Sequence, residues 1–195
     1  MGMKGYTQVY TGDGKGKTTA AMGLALRAVG AGKRVLLVQF MKAQGCSEHN
    51  ILKDFSDLLT WRTAGKPFFL AEEGAVSGDE LEAMKGKCIV FPPGNPPADY
   101  VAIIREAFDE VREAAISGRY DVVILDEINC ILHFGLLPLD EVLHLIDAKD
   151  EGVELVLTGR GAPGALIEKA DLVTEMKEIK HYFAKGVIAR RGIEN

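Results

Sequence analysis

The stretch QVYTGDGKGKTTAAMG, from Gln8 to Gly23, decides the fold. Glycines allow backbone amides to surround phosphate oxygens, Lys17 adds a cation, and the Thr18 hydroxyl can bind Mg²⁺. The usual phosphate-loop pattern has a glycine five residues before the final Gly-Lys-Thr, and here that position is Thr11. The alternative is a glycine-rich turn that binds nothing, but a strand before the turn and a helix after it favour phosphate. The residues expected to contact phosphate are Gly12, Asp13, Gly14, Lys15, Gly16, Lys17 and Thr18.

The loop lies within a strand–turn–helix–strand unit. Residues 6–10 are predicted to form the first strand, and the Ala- and Leu-rich stretch from Lys17 the helix. Gly30 and Gly32 are expected to end that helix, because glycine readily adopts the left-handed conformation found there. The nearly continuous apolar run at 34–40 predicts a strand covered on both faces.

Strand and helix patterns alternate along the rest of the chain. Strands are predicted at 58–64, 120–127, 153–161 and 171–176, and helices at 99–118, from Pro138 onwards and at 162–170. This alternation predicts an α/β fold, a mainly parallel sheet with helices on both faces. With the phosphate-loop motif after its first strand, we expect that fold to be of the P-loop NTPase (RecA-like) type. We expect residues 1–195 to form a single domain with a loop-rich insertion at about 66–97, which includes a short helix near 79–85.

Composition limits the classes of function. The 195 residues are 47% hydrophobic and 26% charged, which is ordinary for a globular protein, and the net charge of −5 gives no reason to expect nucleic-acid binding. Three cysteines without a Cys-x-x-Cys pair argue against a disulfide framework. No apolar run resembles a signal peptide or a membrane span. We therefore expect a cytoplasmic protein with no membrane or nucleic-acid partner.

Two further motifs follow predicted strands. Asp126 and Glu127 end a buried strand, where a carboxylate can hold Mg²⁺ or orient a water molecule. Arg160 lies at the carboxyl end of the stretch at 153–161, at the edge where open parallel sheets bind ligands, and its guanidinium suits phosphate oxygens. The alternatives are a strand that simply emerges into solvent and a surface arginine in a turn.

Weaker signals leave several alternatives open. Cys46 and His49 are three residues apart, but we do not favour a metal site there. Trp61, Phe68 and Phe69 belong either to the core or to a pocket for a flat ligand. The basic C-terminal stretch from Lys177 either approaches an anionic ligand or is a solvated face.

Seven segments in order resemble the phosphate-loop family of ATP:corrinoid adenosyltransferases. The similarity runs from about Tyr6 to Glu194 and leaves about 66–97 uncovered. The segments are TGDGKGKTTAAMGLALRAVGAGK, VQFMK, YDVVILDEI, LPLDEV, LTGRGAP, ADLVTEM and HYFAKGVIARRGIE. The variant loop combined with the downstream TGRG is typical of that family rather than of phosphate-loop proteins in general.

The resemblance implies that a cobalt(I) corrinoid attacks the 5′-carbon of ATP and that inorganic triphosphate leaves. ATP would lie in the loop in the reverse of its usual direction. The loop, with Lys17 and Thr18 as catalytic groups, would bind the triphosphate, and Arg160 would add a contact to ATP. Thr18 and Glu127 would hold Mg²⁺, with Asp126 as the alternative ligand or in the outer shell. The family also suggests a homodimer and a flavoprotein as the reductant.

One stretch departs from the family pattern. The family has a Gly-Phe-x-Trp segment whose aromatic side chains pack against the corrin, whereas this chain has Gly65-Lys66-Pro67-Phe68 followed by Phe69. By position, Phe68 and Phe69 would contact the corrinoid. A different corrinoid, a different closing loop and an altered role are the three explanations that the sequence leaves open.

Two other functions compete with adenosyl transfer. One is a Mg²⁺-dependent P-loop ATPase, in which Asp126 binds the metal and Glu127 activates water. The other is a non-catalytic nucleotide-binding module. The variant loop, TGRG and the C-terminal HYFAKG favour the adenosyltransferase.

Overall fold

Six parallel strands form the central sheet, in the order β3-β2-β6-β7-β1-β8. The structure is a computed structural model that describes residues 4–74 and 88–194. The strands are β1 Thr7–Thr11, β2 Val35–Phe40, β3 Leu59–Ala64, β4 Phe69–Glu72, β5 Cys88–Phe91, β6 Val122–Asp126, β7 Glu154–Thr158 and β8 Leu172–Glu175. The helices are α1 Lys17–Gly30, α2 His49–Leu52, α3 Ala98–Ser117, α4 Ile128–His133, α5 Leu139–Ala148 and α6 Gly164–Lys169, followed by a 3₁₀ helix at Tyr182–Lys185.

Both faces of the central strands are buried, as their apolar sequences predict. Successive side chains of a strand point to opposite faces. On β2, Leu36 and Val38 therefore pack into the cluster that includes α3, while Val35 and Leu37 pack into the cluster that includes α1. The predicted α/β fold, with a parallel sheet and helices on both faces, is confirmed.

The predicted bounds of the first unit agree closely with the structure. The helix after the loop begins at Lys17 and ends at Gly30, and Gly32 has a positive φ of 76°. The predicted strand at 58–64 is β3. Pattern reasoning did not identify α2, α4 or the 3₁₀ helix, which have four, six and four residues; helices this short show little apolar repeat, although the equally short α6 was predicted at 162–170.

The segment at 66–97 contains a second sheet that the sequence pattern did not indicate. β4 and β5 pair in parallel, from Phe69 opposite Cys88 to Glu72 opposite Phe91. Each strand has four residues and lies among prolines and glycines, which explains why a loop-rich segment was predicted instead. The short helix predicted near 79–85 lies outside the described residues.

The topology brings four chain segments to one edge of the sheet. β2, β6, β7 and β1 are neighbours and run in the same direction, so their carboxyl ends meet at that edge. β1 leads into the phosphate loop, β6 ends at Asp126, β7 leads into Gly159 and Arg160, and β2 leads into Met41 and Lys42. Among the described helices, none is long and apolar enough to cross a membrane.

Candidate active site

The glycine loop packs tightly against the chain that follows β8. The backbone N–H of Gly14 donates a hydrogen bond to the carbonyl oxygen of Met176 at 2.7 Å. Gly12 has a φ of +94°, and a Cβ at this position would lie 2.5 Å from the same oxygen. Both the backbone conformation and the lack of space therefore require glycine at position 12.

Lys17 lies within the loop, where its ammonium group bonds to backbone oxygens. Its Nζ donates to the carbonyls of Gly12 at 2.6 Å and Gly14 at 2.8 Å. Burial lowers the pKa of Lys17, while the negative charge of Glu127 acts in the opposite direction. An anionic ligand entering the loop would meet an ammonium group already located among its backbone atoms.

Thr11, in the position where the usual pattern has glycine, connects the loop to the segment after β7. Its side chain is buried, and its hydroxyl accepts a hydrogen bond from the backbone N–H of Ala162 at 3.1 Å. Ala162 is two residues beyond Arg160. The threonine thus links the start of the phosphate loop to the segment that carries Arg160.

Asp126 is fully buried at the centre of a hydrogen-bond network. The hydroxyls of Thr158 and Thr18 donate to its Oδ1 at 2.7 and 2.9 Å. Lys42 Nζ and Gln39 Nε2 donate to its Oδ2 at 2.8 and 3.3 Å. Four donors satisfy the four lone-pair sites of a carboxylate, which offsets the cost of burying its charge.

Lys42 is a site residue that the sequence analysis did not single out. Burial by itself would lower the pKa of Lys42, but the charge of Asp126 and its hydrogen bond outweigh this effect and raise the pKa. The lysine stands just after the predicted strand at 34–40. The rule that identified Arg160, that ligands bind at the carboxyl ends of parallel strands, would also have pointed to Lys42.

Glu127 adopts a left-handed backbone conformation, with a φ of 65°. This conformation is uncommon for residues other than glycine, and such outliers cluster at functional sites. The backbone N–H of Glu127 donates to Thr158 Oγ1 at 3.0 Å, and its Oε2 accepts the Cys130 thiol at 2.9 Å. Burial, together with the charge of Glu127, raises the pKa of the Cys130 thiol to about 12, so this cysteine is not a thiolate nucleophile at neutral pH.

A cavity of about 880 Å³ opens above these groups. Most of the predicted site residues line it, namely Asp13, Gly14, Lys15, Gly16, Lys17, Thr18, Glu127 and Arg160. Gly12 and Asp126 are not among the described lining residues, but they bond to two residues that are: Gly12 to Lys17 and Asp126 to Thr18. The structure adds Lys42, part of the segment at 46–51, and His181 with residues 192–194 of the C-terminal stretch. Part of the basic C-terminal stretch therefore borders the cavity.

Cys46, Glu48 and His49 lie close enough together to suggest a metal site, with one potential ligand atom of each within 4.8 Å of the others. Both ring nitrogens of His49 are already engaged, however. Nδ1 accepts from the backbone N–H of Gly45 at 3.1 Å, so Nε2 carries the proton and donates to Gln39 Oε1 at 2.8 Å. The ring also stacks on Trp61. The contacts assign His49 to positioning Gln39 rather than to a metal.

Of the two predicted corrinoid contacts, the structure describes the side chain of Phe68 alone. Phe68 packs edge-on against Tyr100 with ring centroids 5.9 Å apart, and it is not among the described residues that line the cavity. Lys66, which stands where the family has an aromatic residue, forms an ion pair with Asp99. Phe69 begins β4, and its side chain lies outside the described structure.

The donor set at the carboxylate end of the cavity suits Mg²⁺. Thr18, Glu127 and Asp126 supply only oxygen atoms, the ligands that this hard cation prefers. The Thr18 hydroxyl donates its hydrogen bond to Asp126, and its oxygen accepts only a long contact of 3.4 Å from Lys42 Nζ, so it can still face a cation. One carboxylate oxygen of Glu127 accepts the Cys130 thiol, and among the described residues none donates to the other, which leaves it open to a metal.

Comparison with known proteins identifies the family. The family model described as ATP:corrinoid adenosyltransferase BtuR/CobO/CobP matches residues 3–195. The corrinoid adenosyltransferase of Escherichia coli K12 is 34% identical over 191 residues, covering 98% of this chain and 86% of that protein. The corresponding enzyme of Salmonella typhimurium LT2 is 33% identical with the same coverage.

Two other similarities are less informative. An uncharacterised protein of Nostoc sp. PCC 7120 is 34% identical over 192 residues, but the chain spans only 45% of its length. A solved KaiC-like protein of Pyrococcus horikoshii OT3 has a TM-score of 0.48 and 17% identity, covering 98% of this chain and 76% of that one. The family model matches nearly the whole chain, and two corrinoid adenosyltransferases are matched over more than two thirds of their own length. This chain therefore belongs to the ATP:corrinoid adenosyltransferase family.

Proposed function

We propose that this protein transfers the 5′-deoxyadenosyl group of ATP to the cobalt(I) of a corrinoid and releases inorganic triphosphate. The observation that carries the proposal is one cavity, in a member of this family, that joins the phosphate loop to Thr18, Glu127 and Arg160. A volume of about 880 Å³ lies within the range of small-molecule and cofactor sites.

The reaction needs no oxidant and no protein base. The two electrons of cobalt(I) form the bond to C5′, the C5′–O5′ bond breaks, and its electron pair leaves with the triphosphate. No proton moves in this step. The protein therefore has to align the reactants and to stabilise the negative charge that develops on the leaving group.

The residues of the loop would stabilise that leaving group. Backbone amides from Gly12 to Thr18, the ammonium of Lys17 and the N-terminus of α1 all favour an anion. Arg160 borders the same cavity and would add a guanidinium contact to ATP. With the triphosphate bound in the loop, C5′ of ATP would face the corrinoid. This agrees with the reversed direction of ATP that the family suggests.

Mg²⁺ would be held by Thr18 and Glu127, with Asp126 in the outer shell. When bound, the metal supplies charge neutralisation to the phosphate oxygens. All four acceptor positions of Asp126 are used by protein donors, which favours Glu127 over Asp126 as the direct ligand. Asp126 would orient the Thr18 hydroxyl so that its lone pairs point towards the cation.

The corrinoid side of the site rests on sequence position alone. Phe68 and Phe69 remain the proposed contacts. Lys66 stands at the position of an aromatic residue in the family pattern, and it forms an ion pair with Asp99. We also propose, from the family, a homodimer, a flavoprotein as the reductant that generates cobalt(I), and a cytoplasmic location.

Phosphorus NMR of the reaction products tests the function. Mg-ATP and chemically reduced cobalamin are mixed with the protein under anaerobic conditions, and the same mixture without cobalamin is the control. We expect inorganic triphosphate only when cobalamin is present. ADP and phosphate formed without cobalamin would contradict the proposal and favour the ATPase, and nucleotide binding without any product would favour the binding module.

A matched pair of variants tests the site. Thr18→Val keeps the shape of the side chain but removes the hydroxyl, whereas Thr18→Ser keeps the hydroxyl. We expect T18V to lower kcat/KM by about 100-fold, which corresponds to about 2.7 kcal/mol of transition-state stabilisation, and T18S to retain most of the activity. If T18V is as active as the wild type, the Thr18 hydroxyl is not a ligand of the metal.

A further inference from the structure

The ammonium group of Lys42 lies between Asp126 and Thr18, two of the groups proposed to surround the metal. Its Nζ lies 2.8 Å from Asp126 Oδ2 and 3.4 Å from Thr18 Oγ1. The side chain is 22% exposed, and Lys42 lines the cavity. One positive charge therefore contacts both the carboxylate and the hydroxyl oxygen and also borders the space where a ligand would bind.

The backbone around Lys42 is specifically built. Met41 adopts a left-handed conformation with a φ of 57°, and its N–H donates to the carbonyl oxygen of Ala64 at 2.8 Å. Gly65 passes so close that a Cβ there would lie 2.6 Å from the backbone nitrogen of Lys42. A strained residue and a glycine contact thus fix the turn that directs Lys42 to Asp126.

Two of the other cations that border the cavity are placed differently. The ammonium of Lys17 bonds to carbonyl oxygens of the loop, and Arg160 follows β7. Only Lys42, among the described cations that line the cavity, bonds to Asp126. The negative charges that act on it are Asp126, Glu127 and Glu48, so its charge is held by the carboxylates of the site itself.

We propose that Lys42 is a further ammonium group, beside those of Lys15 and Lys17 in the loop, that binds the triphosphate, and that it keeps a divalent cation from the site of Thr18 and Glu127, next to Asp126, before the triphosphate arrives. This inference rests on the proposed function, because it assigns the anion to the same cavity. A triphosphate brings several negative charges. Lys42 can then exchange part of its contact with Asp126 for phosphate oxygens, and the metal enters together with the phosphate.

The two roles of Lys42 predict effects of opposite sign when its charge is removed. Without the ammonium, Asp126 loses a neutralising charge, and a divalent cation alone should bind more tightly. The triphosphate loses a charge-assisted hydrogen bond and should bind more weakly. A residue that served only to hold the fold together would weaken both, because the site would be disordered for both ligands.

Two binding measurements without turnover test this inference. Mn²⁺ binding is followed by electron paramagnetic resonance in the absence of phosphate, and inorganic tripolyphosphate binding by calorimetry in the presence of MgCl₂. The variants are Lys42→Gln, which keeps a hydrogen-bond donor for Asp126, Lys42→Met, which removes it, and Lys42→Arg, which keeps the charge. Lys53→Met is the matched control, because the Lys53 side chain is 63% exposed and lies outside the cavity. Circular dichroism and thermal unfolding check that each variant folds.

We expect K42Q and K42M to bind tripolyphosphate about tenfold more weakly and Mn²⁺ alone several-fold more tightly than the wild type. K42R should stay closer to the wild type than K42Q, and K53M should match it. Unchanged tripolyphosphate binding in K42Q, or a parallel loss of both ligands, would overturn the inference. Neither measurement requires adenosyl transfer, so failure of the NMR experiment above and failure of this one are distinguishable.

Discussion

Single side chains hold the loop region together. The Thr11 hydroxyl bonds to the N–H of Ala162, the Thr18 hydroxyl to Asp126, and the Thr158 hydroxyl to both Asp126 and the N–H of Glu127. Each hydroxyl connects segments that are far apart in the sequence. The replacement of the usual glycine by Thr11 thus gives the loop a hydrogen bond that glycine could not form.

Thr11→Val tests the importance of that hydrogen bond. Valine has the shape of threonine but leaves the N–H of Ala162 without its acceptor, so we expect the free energy of unfolding to fall by about 1 kcal/mol. The segment that carries Arg160 should also be held less firmly, and KM for ATP should rise more than kcat falls. Urea unfolding and initial rates measure the two effects. Thr11→Ser keeps the hydroxyl and should behave as the wild type, while a T11V protein with wild-type stability and KM would contradict this role.

At the level of elements, Asp121 ties together the amino ends of three neighbouring strands. Its side-chain Oδ2 accepts the backbone N–H of Arg34 at 2.7 Å, just before β2. Its backbone N–H donates to the carbonyl of Arg34, and its own carbonyl accepts from Glu154 at the start of β7. The opposite end of the same strands carries the site, so the alignment of β2, β6 and β7 affects how Lys42 and Asp126 meet.

We expect the contribution of Asp121 to depend on pH. The hydrogen bond from the Arg34 N–H, followed by the charge of the guanidinium, holds the pKa of Asp121 below its ordinary value of 3.8. A carboxyl with a depressed pKa in the folded state stabilises the protein above that ordinary value, and the contribution is lost as the pH falls through the folded-state pKa. Because the Asp121 side chain is 38% exposed and solvent screens part of the interaction, Asp121→Asn should cost about 0.5–1 kcal/mol at neutral pH and less at a pH of about 3.

Urea unfolding at both pH values measures the effect of D121N. The control is Asp109→Asn, since Asp109 pairs with Arg112 on the exposed surface of α3 and its loss should change the free energy of unfolding by less than about 0.5 kcal/mol. A D121N penalty that stays constant or grows as the pH falls would contradict the role of the Asp121 charge.

Considered as a whole molecule, the chain brings its C-terminal stretch back to the phosphate loop. His181 and residues 192–194 line the same cavity as the loop. Glu194 bonds to Tyr182 and Arg190, which closes this stretch on itself, and hydrogen bonds from both lower the pKa of Glu194 to about 2. Arg190 and Arg191 remain exposed in this state. A ligand that fills the cavity would lie between the phosphate loop and the C-terminal stretch.

We expect Mg-ATP to stabilise the protein and to protect the C-terminal stretch. At a ligand concentration of about 100 times Kd, linkage adds about 2.7 kcal/mol, which for a domain of this size raises Tm by about 5–10 °C. Trypsin cleavage after Lys185, Arg190 and Arg191 should slow in parallel. Thermal unfolding and timed proteolysis, with and without Mg-ATP, measure the two effects. A rise in Tm with unchanged cleavage at these residues would show that the ligand does not contact the stretch.

Several features of the site were not predictable, for a common physical reason. Lys42 and Asp126 are 84 residues apart, and Thr11 and Ala162 are 151 apart, so no local pattern connects them. The orientation of Phe68 towards Tyr100 likewise depends on where α3 packs. These contacts depend on strand order and register, which are set by packing over the whole sheet.

The sequence by itself determined the α/β fold, the phosphate loop and the carboxylates at the end of the buried strand. Phosphate binding by consecutive amides at a helix N-terminus is a local property of a few neighbouring residues, and alternating strand and helix patterns are local as well. Only the tertiary structure decided that β7 lies between β1 and β6, that Asp126 receives four donors from three segments, and that Lys42 reaches it. Burying one carboxylate required donors from distant segments, and only the folded chain brings these donors together.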